Sequence, residues 1–118
     1  MTAAPQVGPM YKDGRLTITW LPDANGFRVD GTVDFTSRSG LAAALAAAQQ
    51  GIDDIHVDMS GLEFIDMEGL RLLMRAARGL ANGRSLRLRR APAYVRQLLY
   101  AANWDDTPGL WCDEVRER

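Results

Sequence analysis

The chain has 118 residues, a length that suits one hydrophobic core and is most simply interpreted as one domain. With 47% apolar residues, 25% charged residues and a formal net charge of −1, it has an ordinary globular composition, so its overall charge predicts no particular partner. A single cysteine excludes an internal disulfide. The chain also has a single histidine, so there is no His/Cys set to hold a metal.

The N-terminal part of the chain predicts a lead-in followed by a hairpin. Residues 1–14 contain proline and glycine without periodicity, and we interpret them as a flexible lead-in to a domain of residues 15–118. Apolar and polar residues alternate in Leu16–Leu21 and again in Phe27–Gly31, which is typical of half-buried strands. Turn-forming residues at 22–26 separate them, so the two strands are expected to pair.

An alanine-rich segment predicts the first helix. Residues 41–48 have high helix propensity, and Asp34–Ser37 supply several candidate N-caps ahead of them. Gly51 follows the segment where a helix would end.

The central stretch joins a predicted buried strand, Asp54–Met59, to a second helix, Leu70–Ala81. It delivers Asp66, Met67 and Glu68 to a loop at the start of that helix, where free backbone N–H groups and the helix dipole favour negative charge. Along the helix, one face is apolar and the opposite face carries arginines at the same period, which are Arg71, Arg75 and Arg78.

The remaining elements complete an α/β pattern. Residues 85–89 alternate as a strand, Pro92 opens a third helix, and Asn103 suits a left-handed C-cap. The turn-rich tail, residues 104–111, is expected to end in a short edge strand or a helical turn. This order predicts a mixed β-sheet of about four to five strands, with helices packed mainly on one side and right-handed parallel crossovers.

The ordered set of motifs resembles the STAS domain, the fold of bacterial anti-sigma factor antagonists. The likeness covers roughly residues 16–104. The segments that carry it are Gly31–Asp34, Val57–Leu62, the Phe64-Ile65-Asp66-x-x-Gly69-Leu70 motif and Ala91–Leu99. The same family includes anion-transporter tails, stressosome proteins and accessory subunits of lipid transporters.

The resemblance implies roles for the central loop. Antagonists of this family carry Asp, Ser, then Ser or Thr, then Gly, and the first hydroxyl is phosphorylated by a kinase that is also the anti-sigma factor. The matching positions here are Asp66, Met67, Glu68 and Gly69. Asp34 and Asp58 match acidic positions that border the same end of the sheet.

This sequence departs from the pattern at the phosphoacceptor. Met67 cannot accept a phosphate, so the usual switch is absent at that position. Glu68 places a permanent negative charge beside it. Two consequences remain open: the surface binds its partner constitutively, or Glu68 imitates the phosphorylated, released state with less charge than a phosphate.

Two more specific functions, catalysis and nucleic-acid binding, are less favoured. Asp66 and Glu68 resemble a general acid/base pair, but no nucleophile, metal site or cofactor motif accompanies them, so no enzymatic activity is predicted. The arginines of residues 84–90 resemble a nucleic-acid site. Alternating leucines and the lack of interleaved aromatics favour a strand with a solvated basic face, and no nucleic-acid partner is predicted.

We therefore predict a non-catalytic STAS domain that regulates by binding another protein. The expected contact residues are Asp34, Asp66, Met67, Glu68, Gly69, Arg71 and Arg75. The partner is an anti-sigma factor of the kinase type or, as an alternative, the ATPase of a lipid or anion transporter; a sensory module is the third possibility. No cofactor is expected. With no signal peptide in residues 1–5 and no apolar run long enough for a bilayer, we expect a cytoplasmic protein without membrane insertion.

Overall fold

The computed structural model describes residues 9–113. Within this range the chain forms a six-stranded sheet and three helices. The strands are β1 (Pro9–Lys12), β2 (Leu16–Trp20), β3 (Gly26–Val33), β4 (Ile55–Ile65), β5 (Leu86–Arg89) and β6 (Leu110–Cys112). The helices are α1 (Arg38–Gln49), α2 (Met67–Gly79) and α3 (Ala93–Ala101).

The strands lie in the sheet in the same order as in the chain. β1, β2 and β3 pair antiparallel, and β3, β4, β5 and β6 pair parallel. The predicted hairpin of β2 and β3 is confirmed, as is the mixed sheet with parallel strands joined through α1 and α2. Since β3 and β4 run in the same direction, the chain leaves both strands at the same edge of the sheet.

The core lies between one face of the sheet and the helices. Alternate residues of the central strands are fully buried, among them Phe27, Val57 and Leu88. They pack into one cluster with apolar residues of all three helices, such as Leu41 and Leu73. The residues between them in the strands are mostly polar, as the period of two requires. The prediction of helices on one side of a mixed α/β sheet is confirmed.

The number of strands was predicted too low, mainly because of β1. The sequence analysis included Pro9–Lys12 in the lead-in, whereas these residues pair with β2 through an irregular register between Pro9 and Tyr11. The ring of Tyr11 packs against Gly40 of α1, where a Cβ atom would lie 2.4 Å from it. The rest of the predicted lead-in, residues 1–8, lies outside the described residues.

The central strand is also longer than predicted. β4 continues through Ser60–Ile65, and its register with β3 shifts twice, so the residues after Met59 remain in the strand. The loop before α2 therefore shrinks to Asp66, and α2 begins at Met67 rather than Leu70. α1 likewise begins at Arg38, ahead of its alanine run.

Candidate functional site

The candidate site lies at the edge of the sheet where β3 and β4 end. Val33 pairs with Ile65, and the backbone N–H of Asp66 donates to the carbonyl of Val33 at 3.1 Å. Asp34 follows β3 and Asp66 follows β4, so the two acidic positions of the predicted site meet at one edge. Parallel pairing of strands distant in sequence thus assembles the site.

Asp66 is the N-cap of α2. Its Oδ1 atom accepts a hydrogen bond from the backbone N–H of Gly69 at 2.8 Å, and its backbone is extended, as N-caps require. The other oxygen, Oδ2, accepts from the Arg38 guanidinium at 2.9 Å. The predicted cap is therefore present. It also connects the first residue of α1 to the start of α2.

Met67 and Glu68 form the exposed start of α2. Both side chains face solvent, and Met67 is among the exposed large apolar residues. The Glu68 carboxylate lies 3.6 Å from the Arg71 guanidinium one turn later. A pair this exposed contributes little to stability, yet it places a cation beside the acid that stands near the phosphoacceptor position.

The two arginines of the predicted contact face differ in their surroundings. Arg71 is half-buried, and its guanidinium stacks over the Trp104 ring at 5.4 Å from the ring centroid. Arg75 is exposed. Its helical period predicted a solvated side chain, whereas Arg71 is held against the body of the domain.

Asp34 is held in a tight turn. Its Oδ1 accepts from the backbone N–H of Thr36 at 3.0 Å and from the Thr36 hydroxyl at 2.6 Å, while Oδ2 pairs with Arg15. The Thr36 hydroxyl, followed by the Thr36 amide and the Arg15 guanidinium, lowers the pKa of Asp34 to about 2 despite partial desolvation. The carboxylate is therefore ionised and fixed in place at neutral pH.

Gly69 is buried beneath the helix start. A Cβ atom there would lie 2.8 Å from Ile65 Cγ1 and 2.9 Å from Val33 Cγ1. Gly69 therefore lets the N-terminus of α2 approach the ends of β3 and β4. Its proposed part in partner binding stays a prediction, and its visible role is to position Met67 and Glu68.

Asp58 lies away from this edge, contrary to the expectation from the resemblance. It sits inside β4, paired with Arg89 of β5, and is almost fully buried. Its carboxylate accepts from the backbone N–H of Ser60 at 2.9 Å. The reason is the extra length of β4, which continues past Asp58 to Ile65.

Several residues of this edge were missed by the sequence analysis. Arg15 and Arg38 neutralise Asp34 and Asp66 across long separations in the chain. Tyr94 of α3 accepts a hydrogen bond from the backbone N–H of Ile65 at 2.7 Å. None of these pairs has a local sequence signal, because each depends on the register of the sheet.

Metal-binding clusters and membrane-spanning helices are both absent from the described residues. Residues 9–113 contain no group of three or more His, Cys, Asp and Glu side chains arranged to hold a metal ion. No helix in the same range has the length and apolar character needed to cross a bilayer.

Comparison with known proteins agrees with this architecture. Residues 16–111 match a family model described as "Mlab, STAS domain". Among solved structures, the chain is similar to an anti-sigma factor antagonist from Mycobacterium paratuberculosis, with a TM-score of 0.69 and 22% identity over 81% of this chain and 85% of that one. No curated protein matches it. Since the family model spans most of the sequence, and the antagonist has the same fold, this chain belongs to the STAS domain family.

Proposed function

We propose that this protein is a non-catalytic regulatory domain of the anti-sigma factor antagonist type, acting by binding another protein. Its contact surface, called here the docking edge, comprises the Asp34 turn, residues 66–69 and the α2 face with Arg71 and Arg75. The main support is the exposed, firmly anchored start of α2 in a STAS fold. A protein partner suits this edge, because internal hydrogen bonds hold Asp34 and Asp66 in fixed positions and residues 66–69 contain no hydroxyl or thiol nucleophile.

We further infer that the docking edge is not switched by phosphorylation at the usual position. Met67 has no hydroxyl group. Glu68 is a poor substitute for phosphate, because it has fewer acceptor oxygens and because Arg71 lies 3.6 Å from its carboxylate. These observations favour constitutive binding over a permanently released state.

Capture of the partner tests this proposal. The full chain is immobilised, captured proteins are identified by mass spectrometry, and the affinity of the purified partner is measured for Met67→Ser, Glu68→Ser and Arg75→Glu. We expect at least one substitution to weaken binding by about tenfold, the size of effect found for central interface residues. Asp53→Ser, an exposed position at the opposite end of β4, is the matched control. If all three docking-edge variants bind like the wild type, the docking edge is not the contact surface.

Incubation with the captured partner and ATP tests the absence of the switch. We expect the peptide containing residues 66–69 to remain unmodified, as judged by mass spectrometry. Phosphate on another hydroxyl, for example the exposed Ser60, would instead support a switch at a new position.

The alternative function uses the same docking edge to bind a different partner. As an accessory subunit of a membrane lipid or anion transporter, the domain would use α2 to contact the transporter ATPase. The identity of the captured protein separates the two candidates: an anti-sigma factor supports the first, and a transporter ATPase supports the second.

A further inference from the structure

Exposed apolar side chains concentrate at the docking edge. Residues 10–113 expose six large apolar side chains, and half of them lie in this edge or beside it at the end of β4: Phe35, Phe64 and Met67. Met67 directly follows the N-cap Asp66, Phe64 lies two residues before it in β4, and Phe35 follows Asp34 in the adjoining turn. We call these three residues the apolar patch.

Phe35 is held in solvent by an ordered turn. Its side chain is 80% exposed. On either side of it, the carboxylate of Asp34 accepts from the backbone N–H of Thr36, and the backbone N–H of Arg38 donates to the carbonyl of Asp34 at 2.8 Å. The turn therefore keeps its shape without any packing by Phe35. An aromatic ring presented by a rigid turn is pre-organised for contact at little entropic cost.

The acids of this edge are already neutralised within the chain. Asp34 pairs with Arg15, Asp66 with Arg38 and Glu68 with Arg71. At the rim, the exposed Glu63 and Arg75 carry opposite charges. The edge thus combines exposed apolar groups with compensated charge, which is the composition of the centre of a protein interface rather than of an electrostatic docking site.

We propose that the apolar patch inserts into an uncharged, apolar pocket of the protein partner, with Phe35 and Phe64 as its anchors. This inference rests on the proposed function and specifies the chemistry of the partner. The edge complements a pocket without strong charge, because its three acids already have partners within the chain and, within the described residues, Arg75 is left as its charge without an ion pair. Burial of two aromatic side chains supplies the attraction instead.

The test uses the full chain and the purified partner from the capture experiment. Affinity is measured by calorimetry for the wild type, Phe35→Ser and Phe64→Ser. Ile52→Ser is the matched control, because Ile52 is 86% exposed and precedes β4 at the opposite end of the sheet. Circular dichroism and thermal unfolding establish that each variant is folded.

We expect each phenylalanine variant to bind about tenfold or more weakly, and Ile52→Ser to bind like the wild type. We also expect wild-type affinity to change less than about threefold between low and high salt, since apolar contacts are insensitive to screening.

Two results would overturn the inference while leaving the proposed function intact. One is weakened binding by Arg75→Glu with no effect of either phenylalanine variant. The other is an affinity that collapses at high salt, which would indicate a charged partner surface.

The inference would also be overturned if the apolar patch bound a different occupant. A wild-type dimer in sedimentation that Phe35→Ser dissociates would assign the patch to a second copy. Binding to phosphatidylcholine vesicles that Phe35→Ser abolishes would assign it to a lipid surface. Failure of every docking-edge variant to affect capture would reject the proposed function together with the inference.

Discussion

At the scale of single residues, Gly69 is the docking-edge position at which an added side chain would collide with the core. Its absent side chain is what allows α2 to begin directly over the ends of β3 and β4, with Ile65 and Val33 closer than ordinary van der Waals contact to a Cβ atom at that point. The exposed positions beside it, Met67 and Glu68, are free to vary without disturbing this packing. The docking edge therefore consists of a rigid base and a variable surface.

Gly69→Ala is expected to destabilise the protein by up to about 2 kcal/mol. The added methyl group overpacks against Ile65 and Val33, at a typical cost of about 1–3 kcal/mol, and the better helix propensity of alanine offsets roughly 1 kcal/mol of this. Urea unfolding measures the change. Gly79→Ala is the control on the same helix, since a Cβ atom there meets nothing within 4 Å, and it should be neutral or stabilising. Equal effects of the two substitutions would contradict this packing argument.

At the scale of the elements, α3 secures the end of β4. β5 pairs with β4 as far as Asp58 and Arg89, so the segment of β4 beyond them has no β5 residue beside it. Tyr94 fills part of this gap, because its hydroxyl accepts from the backbone N–H of Ile65. The residue immediately before the N-cap Asp66 is thus held by β3 on one side and by a helix on the other.

Tyr94→Phe should destabilise the protein by about 1–2 kcal/mol, because the Ile65 N–H loses its acceptor in a partly buried setting. Hydrogen exchange should show faster exchange at the Ile65 amide than in the wild type. Tyr100→Phe is the control on the same helix, as its side chain is 73% exposed. If both variants unfold at the same denaturant concentration, the hydrogen bond contributes nothing measurable.

The elements also show which features can be predicted from sequence. The periodicity and order of the residues were enough to predict the hairpin, the parallel strands and the three helices. Asn103 also adopts the predicted left-handed conformation, with φ of 61°. β1 was missed because four residues that begin with proline carry no recognisable alternation. The resemblance placed Asp58 at the wrong edge, since the strand was predicted to end at Met59, whereas the irregular register with β3 keeps the following residues in β4.

The candidate site could be predicted only in part, because some of its contacts join residues that are distant in the sequence. Asp66 as N-cap follows from its position before an amphipathic helix, which is local information. The pairing of Asp66 with Arg38, and of Asp34 with Arg15, depends on which strands adjoin in the sheet. No spacing rule within one segment contains that information.

At the scale of the whole molecule, several carboxylates are stabilised in their ionised form. Hydrogen bonds lower the pKa of Asp13, chiefly from Tyr11, and of Asp54, chiefly from the backbone of Ser85. The pKa of Asp34 falls to about 2, chiefly through the Thr36 hydroxyl. When such groups are lowered in the folded state, the unfolded chain binds more protons as the pH falls, so acid favours unfolding.

The free energy of unfolding should therefore decline as the pH falls from the ordinary Asp pKa of 3.8 towards about 2, where Asp34 is protonated even in the folded protein. Asp34→Asn removes this contribution. We expect that variant to be less stable than the wild type at neutral pH and to lose less stability across the acid range. Urea unfolding at several pH values measures both. Asp23→Asn, at an exposed turn, is the control, and an identical slope for wild type and Asp34→Asn would contradict the assignment.

The parallel pairing of β3 with β4 has a consequence for folding kinetics. Asp34 and Asp66 belong to strand ends separated in the chain by all of α1 and β4, and they meet once that non-local pairing is complete. Contacts of this kind form late, since loop closure must precede them. A partner that recognises the docking edge would bind folded molecules and would not bind molecules in which β3 and β4 have yet to pair. Its binding would then shift the folding equilibrium of the entire chain by mass action, which couples the abundance of the protein to the presence of its partner.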